Sequence, residues 1–466
     1  MKKYIIILTV SFFAVFSCEE FDPTQDINNP NLLLENVIGS PGSVASWITG
    51  QEREMAIVYN QLLELTELGS DNYMNSETFF NQQFDQLNIT FQDGDVNTIA
   101  FRIADLRESG KTGLNQVFPA DPIATSEQQA QLQFYVGWAK LLAGELFVAL
   151  PDEAVGVPVS FADNLNNAIS DFLAAEAIDA ANPSYKLALA RVYHRLGDKV
   201  NAVLKAQEAI ALNPTFTRVV EFDGTNGPDN DFADGLFQRG NFDDFQPLPR
   251  LDFLDPKYFV VGDEESPVYI QKIEEAYLII AEAQLADGNL AGAQTTMTDL
   301  LDVVASRGTT TLDDAVENRA DRPTGTAIKV RASDVDIFKE DLVLDRTSGS
   351  VLVWNISGTS VFAADITAIA TIPDALELLY LLRQEIFIAE GRRFTDLGIR
   401  MPISEQESLT NSNVTDTQLL AFIPSFVPTD MDEFTFDVDN NEVTILNNMN
   451  RVLIENRTNE NVIPFF

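Results

Sequence analysis

One cysteine and one histidine in 466 residues remove much of the side-chain chemistry on which metalloproteins and nucleophilic enzymes rely. The only thiol is Cys18 and the only imidazole is His194, so a disulfide framework and a Cys/His zinc site are both excluded. His194 lies inside a helical segment beside Tyr193, which suits packing better than acid–base work, and Ser–His or Cys–His catalysis has little to build on. Positive charge is scarce as well. Thirty Lys+Arg against 71 Asp+Glu give a formal charge of −41, which repels nucleic-acid phosphates and anionic lipid headgroups, so no nucleic-acid partner is expected. After the first seventeen residues no run is apolar enough to span a bilayer. Compositional bias is also missing: with 45% hydrophobic and 10% aromatic residues the chain can bury a large core. The acid is spread along the chain and reads as a solvated surface, leaving a neutral or cationic ligand open.

The amino terminus specifies an address. Lys2 and Lys3 precede the apolar run Tyr4 to Phe16, and Ser17 precedes Cys18, the plan of a secretory signal peptide over residues 1–17. Cys18 stands where a bacterial lipoprotein signal keeps its lipid acceptor, and is read as the lipid anchor. Val15 and Ser17 fit that signal, whereas Phe16 departs from its usual small residue. Residues 18–42 read as a tether: Glu19, Glu20 and Asp22 give an acidic start, and Asn, Pro and Asp are dense up to Gly42.

Helical periodicity follows. Trp47 to Leu68 carries apolar residues at spacings of three and four, Asn97 to Ser109 and Ser126 to Leu150 predict further helices, and Pro151 is expected to stop the last. Pro183 to Pro214 has the offsets of a tetratricopeptide helix pair: Ala190 and Tyr193 on one helix, a turn at Gly197-Asp198, Ala202 and Ala209 on the next. Glu274 to Gly308 repeats the plan with Ala281, a turn at Asp287-Gly288 and Ala293. The fold class is therefore mostly α: one domain over 43–466, with tetratricopeptide-like hairpins at about 43–68, 126–150, 183–214 and 269–308 and a closing helix at 373–397. These would form a right-handed superhelical scaffold with little β. Between the hairpins lie long segments at about 70–84, 220–262 and 309–371, the last holding the β-like run Ser350 to Trp354. Loops of that length usually carry function, so the ligand-binding face is sought there.

Arg383 to Arg400, RQEIFIAEGRRFTDLGIR, resembles the carboxy-terminal signature of SusD/RagB-type lipoproteins, and EAYLIIAEAQLADG ending in SRG resembles that family's central hallmark. The tetratricopeptide pair, Cys18, the acidic start, Trp47 and the turn Ser70-Asp71-Asn72-Tyr73 follow in the same order. Gln131 to Pro158 keeps the layout of the family's second helical pair without its usual wording, and the NVIPFF end is atypical; both bear on the ligand more than on the fold. The resemblance implies a SusD-like α-α fold and an outer-membrane lipoprotein facing the cell exterior. It further implies a non-enzymatic protein that captures an oligosaccharide for a SusC-like TonB-dependent transporter, with no cofactor. A peptide or other non-sugar cargo, a surface glycoside hydrolase and an assembly scaffold are the rival readings.

On that resemblance Asp71, Asn72, Tyr73, Phe79 and Trp354 are the candidate ligand contacts. Two readings of the turn stay open: ligand contact, or an Asx turn capping the next element with Tyr73 packed locally. Trp354 and the Phe residues of 220–262 suit either core or platform. Asp437, Asp439 and Asn441 begin like a calcium loop but lack its glycine and bidentate Glu, and Asp229, Asp231 and Asp234 suit a solvated turn, so no metal site is assigned. Glu385, Glu390, Arg392 and Arg393 are read as fold determinants, and no catalytic residue is assigned.

Overall fold

The computed structural model describes residues 38–75, 82–237, 245–258, 265–313, 323, 327–345, 349–459 and 461–466. Cys18, Phe79, the leader and most of the tether lie outside the described residues.

Four helix pairs form the scaffold, two of them at the tetratricopeptide offsets read from the sequence. They are α1 (Ser43–Leu68) with α2 (Gly94–Thr112), α3 (Ser126–Leu146) with α4 (Phe161–Ile178), α5 (Pro183–Arg195) with α6 (Lys199–Leu212), and α7 (Glu274–Ala286) with α8 (Leu290–Ser306). A further long helix, α9 (Ile372–Ile386), packs against α7 and α8.

Local sequence sets the helix ends. Thr125 and Gln128 close a capping box on α3, Asn182 caps α5 ahead of Pro183, and Asp198 and Asn289 cap α6 and α8. Gly197 and Gly288 turn the two tetratricopeptide hairpins at φ 72° and 77°, a conformation costly for any residue with a Cβ. Helix α1 has no side-chain cap of its own. The Asp121 carboxylate supplies it from 77 residues away, accepting from Gly42 N at 3.1 Å and Val44 N at 3.0 Å.

Small residues decide how closely the helices approach. Ala190, Ala202, Ala209, Ala281 and Ala293 are all buried at the positions expected of them. Gly137 and Gly144 on α3 lie so close to Phe172 and Leu165 of α4 that a Cβ at either would collide.

Three expectations change. Helix α3 ends at Leu146, not Leu150: Phe147 leaves at φ −121°, and Ala149–Pro151 is a short strand paired with Pro158–Ser160. Its partner helix α4, absent from the readings above, follows at once. The closing helix is interrupted after Ile386, where Ala389 (φ 57°) and Gly391 (φ 69°) reverse the chain before the short helix Arg393–Asp396. Among the described residues five small sheets supply the β content, including the predicted run Ser350–Trp354 paired antiparallel with Thr309–Asp313.

That reversal places the signature residues at the centre of the molecule, where every charged group named here is buried. Arg383 binds Asp396 at 2.7 Å, Arg393 holds Asp71 through bonds of 2.5 and 2.9 Å, Arg392 pairs with Glu275, and Lys272 reaches Glu390 at 2.9 Å. Burial works against the carboxylates of Glu275 and Asp396, yet Arg392 and Arg383 hold their pKa values down at about 2. His194 belongs to the same interior. Its Nε2 lies 2.9 Å from Glu282, which also accepts from the Tyr380 hydroxyl at 3.1 Å, and its ring meets Phe465 edge-on.

Candidate functional site: a cleft among the inserted loops

The turn Ser70 to Tyr73 is part of that interior, which corrects its assignment as a ligand contact. Asp71, Asn72 and Tyr73 are at most 1% exposed. The Asp71 carboxylate is taken up by Arg393 and by Gln384 Nε2 at 2.9 Å, while the Asn72 side chain donates to Glu67 at 2.8 Å and accepts from Gln384 at 3.1 Å. Tyr73 packs edge-on against Phe232 with ring centroids 5.2 Å apart. A ligand would have to displace an ion pair to reach them. These contacts weigh toward packing: Asp71 is held by Gln384 and Arg393, more than 300 residues away, whereas Asn72 also reaches back to Glu67 and Tyr73 meets Phe232.

Trp354 is placed differently. It ends the strand Ser350–Trp354, whose Val351 and Val353 face inward while Leu352 points to solvent. Its half-buried ring lies against the backbone of Gly358, where a Cβ would collide with it, and beside Leu254. It lines a cleft of about 630 Å³ with Phe253, Val304 and Phe362, the last 71% exposed. Lys339, Leu342, Ser360 and Asp365 are shared between this cleft and a second lobe of about 270 Å³ that runs to Arg250, Glu377 and Glu385. The lobes thus adjoin, lined largely by residues of the segments 220–262 and 309–371 and of α9.

Glu385 shapes the site. Buried on α9, it accepts from Thr359 Oγ1 at 2.6 Å, Ser360 N at 2.8 Å and Ser360 Oγ at 2.6 Å, fixing the loop that divides the two lobes. Burial raises its pKa, and those three donors act in the opposite direction.

The remaining charges divide by sign. Each acid facing the second lobe is already hydrogen-bonded: Asp336 and Glu377 to Arg451, Asp365 to Phe362 N, Asp374 to Thr371. The two cations are not. Arg250, on the 3-10 helix Pro249–Tyr258, is 7% exposed with no hydrogen bond or ion pair among the described residues, and burial lowers its pKa. Lys339 is exposed, with no carboxylate within 4 Å among the described residues. Glu385 and Asp71 act on the Arg250 guanidinium through space without bonding it, so a ligand oxygen in the lobe would add a direct partner. Neither residue stood out in the sequence.

The site thus offers an indole face, an exposed phenyl ring, two unpaired cations and polar edges, a set suited to a polyhydroxylated ligand. Among the described residues no group of three or more His, Cys, Asp or Glu is arranged to hold a metal ion. Asp437 accepts from Asp439 N and Asn440 N within its own hairpin turn, and Asp231 accepts from Asn60 on α1 at 2.7 Å.

No protein-family model matches the sequence, and no curated protein is similar to it. Solved structures are. A SusD-like protein of Bacteroides fragilis aligns over 83% of this chain and 98% of its own, with a TM-score of 0.56 and 11% identity. A SusD superfamily protein of the same species aligns over 82% and 100%, with a TM-score of 0.52 and 14% identity. A protein of Bacteroides vulgatus assigned as sugar binding aligns over 80% and 97%, with a TM-score of 0.55 and 13% identity. The fold of this chain is the SusD-like fold.

Proposed function

We propose that this protein is a SusD-family lipoprotein of the outer membrane, anchored through Cys18, that captures an oligosaccharide at the cell surface. It performs no chemistry on the ligand and passes it to a SusC-like TonB-dependent transporter. The observation that carries the reading is the cleft itself: a half-buried Trp354 with one face packed, beside Arg250 and Lys339, which have no ion-pair partner among the described residues. Sugars stack their apolar faces on such rings and offer hydroxyl oxygens to such donors.

The leader and the lone cysteine support the anchor, and no helix among the described residues is long and apolar enough to cross a membrane. The sugar-binding assignment of one structural neighbour points the same way. A glycan-array screen of the purified protein, with calorimetry and product analysis on each hit, tests the reading. Selective, saturable binding with the glycan recovered intact is expected. Cleaved product would replace capture by hydrolysis, and silence across a broad array would move the cargo to peptides or another nutrient.

A further inference from the structure

A second cleft, about 820 Å³, lies between the first half of α1, the start of α3, the α4–α5 turn and the strand Thr217–Val220. Its floor is aromatic: Tyr135 and Tyr185 are 1% and 2% exposed. Over that floor sits Arg218. Its guanidinium carbon lies 3.8 Å from the centroid of the Phe134 ring and 5.4 Å from that of Tyr135, and its Nη1 donates to Ser184 Oγ at 3.2 Å. Ser184 is oriented to accept that bond because its own proton goes to Gln271 Oε1 at 2.6 Å. A register shift in the pairing of this strand with Val268–Lys272 falls between Arg218 and Val219, the kind of irregularity that re-aims a side chain toward a site.

Two groups here are under-used. Arg218 has no carboxylate within 4 Å among the described residues, in a chain that carries 71 acids. The Tyr185 hydroxyl, on a side chain 98% buried, has no hydrogen-bond partner among the described residues and faces the same space. Burial holds its pKa up at about 12, so it stays a neutral donor at ordinary pH.

A stacked guanidinium with free donors is suited to a planar carboxylate, which it binds through two parallel bonds, and a phenol beside it can donate a third. The lining also carries five acids, Glu52, Glu127, Asp179, Glu221 and Asp223, against one further cation, Arg53, so a ligand with more negative charge would be repelled. We propose that this cleft is a second ligand site, separate from the loop cleft, that seats the single carboxylate of a small organic molecule between Arg218 and Tyr185. A peptide carboxy terminus and a uronic acid share that chemistry. The excess of acids in the lining favours the peptide, whose ammonium group they attract.

Calorimetry on the purified protein tests the site with alanylalanine, its carboxy-terminal amide and glucuronic acid as probes. Saturable binding of at least one carboxylate is expected, with the amide at least about tenfold weaker than the dipeptide if the dipeptide binds. Arg218→Gln should abolish the signal and Tyr185→Phe, which removes only an oxygen, should weaken it several-fold. Trp354→Ala should leave it unchanged, and Arg218→Gln should leave glycan capture in the loop cleft unchanged, so the two sites fail independently. Tighter dipeptide binding identifies a peptide terminus as the source, and tighter glucuronate an acidic sugar. No saturable binding of either acid, equal affinity for the amide, or undiminished binding by folded Arg218→Gln would overturn the proposal.

Discussion

Two arginines a short distance apart meet opposite fates. Arg393, at the centre, is held by Asp71 through two bonds, with Gln384 completing the carboxylate's shell. Arg250, facing the loop cleft, is nearly as buried and has no partner among the described residues. Burial alone therefore does not mark a functional residue; the distinction is whether the chain satisfies the charge. Paired charges here join distant segments into one fold, and unpaired ones stand where a second molecule could complete them.

The largest effect should come from breaking a pair. Arg393→Ala leaves the Asp71 carboxylate buried without its partner and should cost about 3–5 kcal/mol, read as a lower midpoint in denaturant. Arg250→Met is the counterpart. Removing a guanidinium with no hydrogen bond or ion pair among the described residues should cost far less stability, while weakening ligand capture several-fold; a loss as large as that of Arg393→Ala would erase the contrast between the regions.

Trp354→Ala should reduce glycan affinity by about 1–2 kcal/mol, roughly five- to thirtyfold, with no comparable change in stability, as calorimetry and a thermal melt on one sample would show. Asp432 sharpens the contrast from the side of like charge. Burial and the neighbouring Asp85 push its pKa up to about 9, with Glu433 adding to the effect. A folded pKa above the unfolded value stabilises the protein fully below about pH 4 and loses that contribution as pH rises toward 9. Asp432→Asn should therefore flatten the decline of stability between neutral and alkaline pH in denaturation curves. The smallest change expected is from Asn289→Ala, which removes the cap of α8 and should cost about 1 kcal/mol in the same assay.

Much of the scaffold was legible because its signals are local. Alanines at tetratricopeptide offsets, Gly197 and Gly288 at the turns, and the alternation of Ser350 to Trp354 each act within a few residues. Helix α4 was overlooked although its signal exists: Ser160 caps a segment whose Leu165, Ala168, Phe172 and Ala175 lie on one face. Glu385, Glu390, Arg392 and Arg393 were readable as structural, but not their partners. Asp71 is 322 residues from Arg393, and no spacing rule reaches that far. The site was legible only as a region. Trp354 stood out because an aromatic ending a β-like run is a local pattern, though one that suits core or platform alike, whereas Arg250 and Lys339 are marked by the lack of an ion-pair partner among the described residues, a property of the folded whole. The Ser70–Tyr73 turn misled for the same reason, since polar residues after a helix look exposed until the segment that buries them is known.

The most direct test of glycan capture in the loop cleft is titration calorimetry of a glycan identified by the array against wild type, Trp354→Ala and Arg250→Met. The account predicts saturable binding by wild type, weaker binding by both folded variants, and recovery of the glycan intact. Undiminished binding by both variants would place the ligand elsewhere, and a cleaved glycan would contradict capture without chemistry.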